Sequence, residues 1–368
     1  MGRRHTARGS GRRRPGRVGA VLVALLVGAL VGGCAVFDTD DDVRRARELA
    51  DDLYPGELDV VDARTLVPET TGSEVTLSVA GDPDAAVRFR VDAAKDRCDG
   101  GPDCADALRT AVDRARREAG RLRAMRHAFD GCGHPVLATD EKLTAPWIEA
   151  RLTDETLDDV LTRLGACAQR WVTARADQDP GAAQGWVTVN VAAPGTADDL
   201  PAAKSTLPTV LRFTHGPRRA ALAGRPYYVA AYPVGDDPGR TVDVASVRLR
   251  IVSPFEERQA FSRRIDASVL PGLRATYPDA VTSGGAGMGV WRLEPGTVHR
   301  VRGYVLFCAR PPADGKRCLG DLAALVTSDP EGRDAQVVRV LTDIRDEHGV
   351  LGQPPGGRGA GEARAAGE

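Results

Sequence analysis

The chain has 368 residues, a formal net charge of −1, 42% hydrophobic residues and 27% charged residues. At about 150 residues per domain there is room for roughly two domains with real cores, and the near-average composition excludes wholesale disorder and a polytopic membrane protein. Lys and Arg number 50 against 51 Asp and Glu, so no basic excess points to nucleic acid. Only four of the 50 basic residues are Lys, and Asn occurs once. That is the bias of GC-rich coding, and it weakens abundant Arg as a sign of phosphate or carboxylate recognition.

Residues 1–33 have the order of a secretory signal. Seven Arg and no acid occupy the first seventeen residues, and Val18 to Gly33 then runs without a charge. Val31-Gly32-Gly33-Cys34 resembles a bacterial lipobox. The resemblance covers the first 38 residues or so and implies a diacylglycerol on the Cys34 sulfur, with Cys34 as the new amino terminus. Two acyl chains are what stable anchoring takes. Gly32 departs from the commoner Ala or Ser. Two alternatives stand beside this one. Val18 to Phe37 is long enough for an uncleaved membrane helix, and Arg12-Arg13-Arg14 allows twin-arginine export, although Pro15-Gly16-Arg17 lacks the usual apolar pair. All three place residues 35–368 outside the cytoplasmic membrane. Without residues 1–33 the chain carries 43 basic and 51 acidic residues, net −8. The near-neutral precursor is a basic tag joined to an acidic body.

The first exported region, 34–178, is expected to be an α+β domain with two main helices and a hairpin. VRRARELADDL, after Asp42, has helical spacing and stops at Pro55-Gly56. Glu74–Ala80 and Ala86–Asp92 alternate apolar and polar residues around Gly81-Asp-Pro-Asp84, predicting a β-hairpin with a loop of four or five residues. A long helix is predicted over Ala105–Phe129, with Leu108, Val112, Ala115, Leu122, Met125 and Phe129 on one side and an Arg-rich opposite side. An ordinary solvated face explains those arginines better than a docking face for anionic polymer. Pro135–Ala138 reads as a strand. A second helix is predicted from Asp154 to Arg175, with Asp154, Glu155, Asp158 and Asp159 crowding the turn where the helix dipole favours anions.

Six cysteines remain once Cys34 is set aside, and an even number in an exported chain reads as three disulfides. Six allow 15 pairings. Proximity favours Cys98–Cys104, Cys132–Cys167 and Cys308–Cys318. His127, Cys132 and His134 could be read as metal ligands, but paired Cys-x₂₋₄-Cys is missing and the disulfide reading prevails.

Asp177–Gly185 reads as a linker. Residues 186–350 are expected to be β-rich and sandwich-like, with strands at Trp186–Val191, Thr209–Thr214, Tyr227–Tyr232, Ala245–Val252, Gly289–Leu293, Val298–Cys308 and Ala335–Ile344. Leu293-Glu-Pro295-Gly296 followed by Gly303-Tyr-Val-Leu-Phe307 resembles a strand pair of the immunoglobulin-like domains of secreted lipoproteins. Over some fifteen residues, that resemblance implies an interaction or stabilising module without cofactor. Residues 351–368 carry one large apolar residue, Leu351, before a Gly- and Pro-rich run and read as a disordered tail.

No Gly-x-Ser-x-Gly elbow, His-Glu-x-x-His pair or Walker loop is present. Gly284–Gly289 is followed by strand-like residues, so it reads as a loop and not a nucleotide site. The acidic pairs Asp198-Asp199, Asp236-Asp237 and Glu256-Glu257 fall in expected loops without calcium-site periodicity. His299 reads as a strand residue. The sequence thus calls for no catalytic set, metal or cofactor, and no nucleic-acid or nucleotide partner. It predicts a lipid-anchored envelope protein of a GC-rich Gram-positive bacterium, binding or structural in role, with an envelope protein as a partner. An envelope hydrolase whose residues meet only in the fold, and a single-helix sensor or regulatory subunit, are the rivals.

Overall fold

A computed structural model describes residues 39–66, 72–176, 185–235, 241–286 and 289–345. The signal segment, Cys34, the expected membrane helix at Val18–Phe37, Asp236-Asp237, His348 and the tail lie outside the described residues. No helix among the described residues is long and apolar enough to cross a membrane. The protein is α+β, as expected. Its residues form two compact units: those up to Leu77 with Arg88–Arg109, and Ser78–Val87 with those from Thr110 onward. Strand β6 (Pro146–Glu149) pairs in parallel with β7 (Gly185–Ala192), joining residues on either side of 178–186.

In the first unit, helix α1 (Asp40–Leu53) opens on three aspartates that complement the helix dipole. Asp42 is buried, and its carboxylate accepts from Ser73 Oγ at 2.6 Å and from the Ala93 amide at 2.8 Å. The apolar side of α1, with Ala46, Leu49 and Ala50 buried, meets β1 (Leu58–Thr65). The sheet order is β1, β2 (Ser73–Val79), β3 (Asp82–Asp92), β4 (Arg97–Cys98). The hairpin is tighter than expected. Ala80-Gly81 alone makes the turn, with Gly81 at φ 77°, and Pro83 sits near the start of β3, where its missing N–H is tolerated. Cys98 is bonded to Cys104, the first residue of α2 (Cys104–Asp130), with Cα atoms 4.9 Å apart. Asp103 caps that helix through the Asp106 amide at 2.9 Å.

In the second unit, Leu122, Met125 and Phe129 of α2 share one core with Leu161, Leu164 and Trp171 of α3 (Leu157–Ala176). Phe129 and Trp171 meet edge to face at 6.1 Å. Cys132–Cys167 joins the end of one helix to the buried face of the other, Cα to Cα 6.1 Å. Helix α3 begins three residues after the expected Asp154. The Asp154 carboxylate is taken up elsewhere, accepting from the Val298 amide at 2.7 Å and Thr297 Oγ1 at 3.3 Å.

Two five-stranded sheets complete this unit. The first has the order β5 (Ala138–Thr139), β6, β7, β8 (Tyr227–Val234), β9 (Arg248–Val252), antiparallel except for β6–β7. Helix α3 packs on β8, where the missing side chain of Gly165 admits the Tyr232 ring. The second sheet has the order β10 (Val281–Thr282), β12 (Val301–Cys308), β13 (Leu322–Ser328), β14 (Gln336–Leu341), with β11 (Arg292–Leu293) also on β12. β11 pairs antiparallel with β12 across the Pro295-Gly296 turn. Cys308–Cys318 closes the third disulfide, Cα to Cα 6.0 Å.

The second half is not all strand. Thr209–Thr214, expected as a strand, forms helix α4 (Thr209–Phe213), started by Pro208 and followed by α5 (Gly216–Ala223). Glu256-Glu257, expected in a loop, lies in the first turn of α6 (Phe255–Thr276), where two carboxylates suit the dipole. Helix α6 packs against β10 and β14 through Ile265, Val269 and Leu273, and Pro271 sits inside it.

Candidate functional site

The exposed edge of the first sheet leads directly into a helix. β9 reads Arg-Leu-Arg-Ile-Val, and its period of two puts Arg248 and Arg250 on one face. The opposite face carries Leu249, which is buried. Across the strand pair, Arg250 stands opposite Val229 and Val252 opposite Tyr227. Ser253-Pro254 turns the chain, because Pro254 cannot continue the ladder but suits a helix start. One turn into α6, the Arg258 amide bonds the Pro254 carbonyl at 3.0 Å, and the Arg258 guanidinium lies 5.7 Å from the Phe255 ring centre.

This corner forms one wall of a cavity of about 270 Å³. Tyr227, Arg250, Ile251, Ser253, Arg258 and Phe261 line it, and Gly289, Val290, Trp291, Val301 and Pro330 close the other side. Val301 and Trp291 are buried, whereas Val290 is 56% exposed, so the lining includes both buried and solvent-facing apolar residues. Trp291 is fixed from three directions. Its Nε1 donates to the Ala286 carbonyl at 2.8 Å, the Phe261 ring meets it edge to face at 4.9 Å, and its ring lies on the backbone of Gly303. A Cβ at Gly303 would stand 2.5 Å from Trp291 Cδ2.

The electrostatics are one-sided. Arg248, Arg250, Arg258 and Arg292 have no carboxylate within ion-pair distance among the described residues. Arg248 stacks on the Trp186 ring at 3.9 Å. Burial lowers the pKa of Arg292, and the Arg248 and Arg250 charges lower it further against a contrary pull from Tyr304. Burial pushes the Tyr227 phenol up, while Arg250 and Arg258 draw it partly back. Arg258 Nε is buried without a hydrogen-bond partner among the described residues. Asp329 and Glu331, on either side of Pro330, are both engaged by Arg333. Among the described residues the lining holds hydroxyls at Ser253 and Tyr227 but no carboxylate, imidazole or thiol. It can attract and hold an anion; it has no base beside a nucleophile.

The residues singled out in the sequence lie elsewhere. Cys132 is disulfide-bonded, which removes its thiolate from any site with His127 and His134. His134 is half-buried beside the Glu149 carbonyl, and burial, aided by Arg163, lowers its pKa. His299 sits in the exposed turn before β12 and not in a strand. Asp199 pairs with Arg225 at 2.9 Å. On the Arg-rich side of α2, Arg123 bonds Asp82 and Asp84, and Arg126 lies 5.1 Å from the Phe213 ring centre. Those arginines hold the fold together. The glycine run contributes only Gly289 to the cavity, and residues 287 and 288 are not described. The signal for the cavity was Arg248-Leu-Arg250 two residues before Ser253-Pro254-Phe255, diluted by the chain's general excess of Arg. Compared with known protein families, curated proteins and solved structures, this chain matches none.

Proposed function

We propose that the protein is an extracytoplasmic lipoprotein, anchored through Cys34, whose body binds an anionic ligand of the cell envelope without turning it over. The observation that carries the binding role is the convergence of Arg250 and Arg258, neither with a carboxylate partner among the described residues, on a cavity walled by aromatic rings. Burial and the neighbouring Arg248 and Arg250 charges disfavour the charged form of Arg292, and an incoming anion relieves that cost. The signal order supports export, and three disulfides suit an oxidising compartment. Among the described lining residues neither the Ser253 hydroxyl nor the Tyr227 phenol has a carboxylate or imidazole beside it, which favours binding over hydrolysis.

Two measurements test this reading. Palmitate labelling of the wild type against Cys34→Ala should lose its signal in the variant, and equal labelling contradicts the anchor. Thermal denaturation of the exported body in phosphate against chloride at equal ionic strength should show stabilisation that Arg250→Gln/Arg258→Gln removes. Equal stabilisation of both proteins contradicts the cavity as the anion site.

A further inference from the structure

We infer that the ligand is a phosphate monoester whose other end is a ring-sized apolar group, bound with the ring inside and the phosphoryl group at the mouth. This rests on the anionic-ligand reading above and adds the chemical class. Size comes first. The cavity holds about 270 Å³, and an apolar cavity of about 150 Å³ takes benzene. A six-membered body therefore fits with space left for a tetrahedral oxyanion.

Polarity then sets the orientation. Phe261 and the buried Trp291 and Val301 give the cavity an apolar wall, where offset or edge-to-face ring contacts are available. Of the lining cations, Arg250 is exposed and Arg258 is half-buried, with its Nε–H lacking an acceptor among the described residues. Charge separates phosphate from carboxylate. Arg248 and Arg292 add two further unneutralised cations nearby, while Glu256 and Glu257 on the first turn of α6 are exposed to solvent. A phosphate monoester brings about −1.5 to −2 charges at neutral pH against −1 for a carboxylate, and three oxygens suited to the guanidinium fork.

Calorimetric titration of the exported body tests this with defined probes: phenyl phosphate, inorganic phosphate, benzyl alcohol and benzoate. Phenyl phosphate should bind at least tenfold more tightly than each of the others. Arg250→Gln and Arg258→Gln should each weaken it tenfold or more, as should Val290→Asp, which sets a carboxylate at the exposed rim without touching the core. Inorganic phosphate binding as well as phenyl phosphate overturns the apolar group and leaves the anionic reading standing. Benzoate binding as well as phenyl phosphate overturns the phosphoryl assignment alone. No binding by any anion overturns both readings. The same chemistry can come from a soluble ester or a membrane headgroup. Sedimentation with phosphatidic acid vesicles, lost in Arg250→Gln/Arg258→Gln and competed by phenyl phosphate, supports the class with a lipid source. Sedimentation unchanged by those substitutions overturns the cavity as its seat.

Discussion

Gly303→Ala should damage the second unit and the cavity together. The new methyl carbon would stand 2.5 Å from Trp291 Cδ2 and 2.8 Å from Cε2 and Cε3. Contact at that distance is far inside van der Waals range, so either the strand or the ring must move. The strand is held on both sides, by β11 and β13. A ring that moves gives up its hydrogen bond to the Ala286 carbonyl and its edge contact with Phe261. Those contribute about 0.5–1.5 kcal/mol each, and overpacking a dense core typically costs about 1–3 kcal/mol. A loss of about 2–3 kcal/mol is expected. All four tryptophans lie in the second unit, so tryptophan fluorescence in urea follows this unit directly. Combining Gly303→Ala with Trp291→Leu should cost less than the sum of the singles, by about 1 kcal/mol or more, because the methyl and the ring compete for one space. Stability within about 0.5 kcal/mol of wild type, the range of a neutral surface change, would refute the claim that this ring is fixed against the strand.

The disulfides should differ in worth by loop length. For separations of 35, 10 and 6 residues, the chain-entropy relation gives about 3.8, 2.7 and 2.2 kcal/mol. Double Ala variants compared by urea midpoint should therefore rank Cys132/Cys167 as the most damaging, and another order contradicts the entropic account. Asp42→Ala should cost about 2–3 kcal/mol in the first unit, since two donors lose a buried carboxylate, and the readout is far-UV dichroism in urea. His134 should make the second unit less stable as pH falls from 7 toward 5. Burial holds its folded pKa below the ordinary value of 6.5, so the unfolded chain takes the proton first; above 6.5 the two states match and stability is fully present. His134→Gln should flatten that slope, and an unchanged slope assigns it to other groups.

Much of the local structure was legible because its causes are local. Leu108, Leu122, Met125 and Phe129 lie on one helical stripe, and α2 follows it almost to the residue. The three disulfides join neighbours in sequence, so proximity sufficed. Helix α4 was misread because Thr209, Val210 and Phe213 favour strand, and its five residues are held by packing rather than propensity. Helix α6 was missed because Pro271 argues locally against a helix, although the first-turn glutamates and the period of Ile265, Val269 and Leu273 favour one. The parallel pairing of β6 with β7 was not legible, because the two strands lie far apart along the chain. The cavity was hidden for the same reason. Its residues come from four separated stretches around 227, 250–261, 289–301 and 330, and no spacing rule joins them.

A crystal structure of the exported body with phenyl phosphate shows whether this cavity is a binding site. The phosphoryl group should lie within hydrogen-bond distance of the Arg250 and Arg258 guanidinium groups, Nε of Arg258 included, and the ring against Trp291 and Phe261. An empty cavity at saturating ligand, or a ligand seated elsewhere on the molecule, would contradict it.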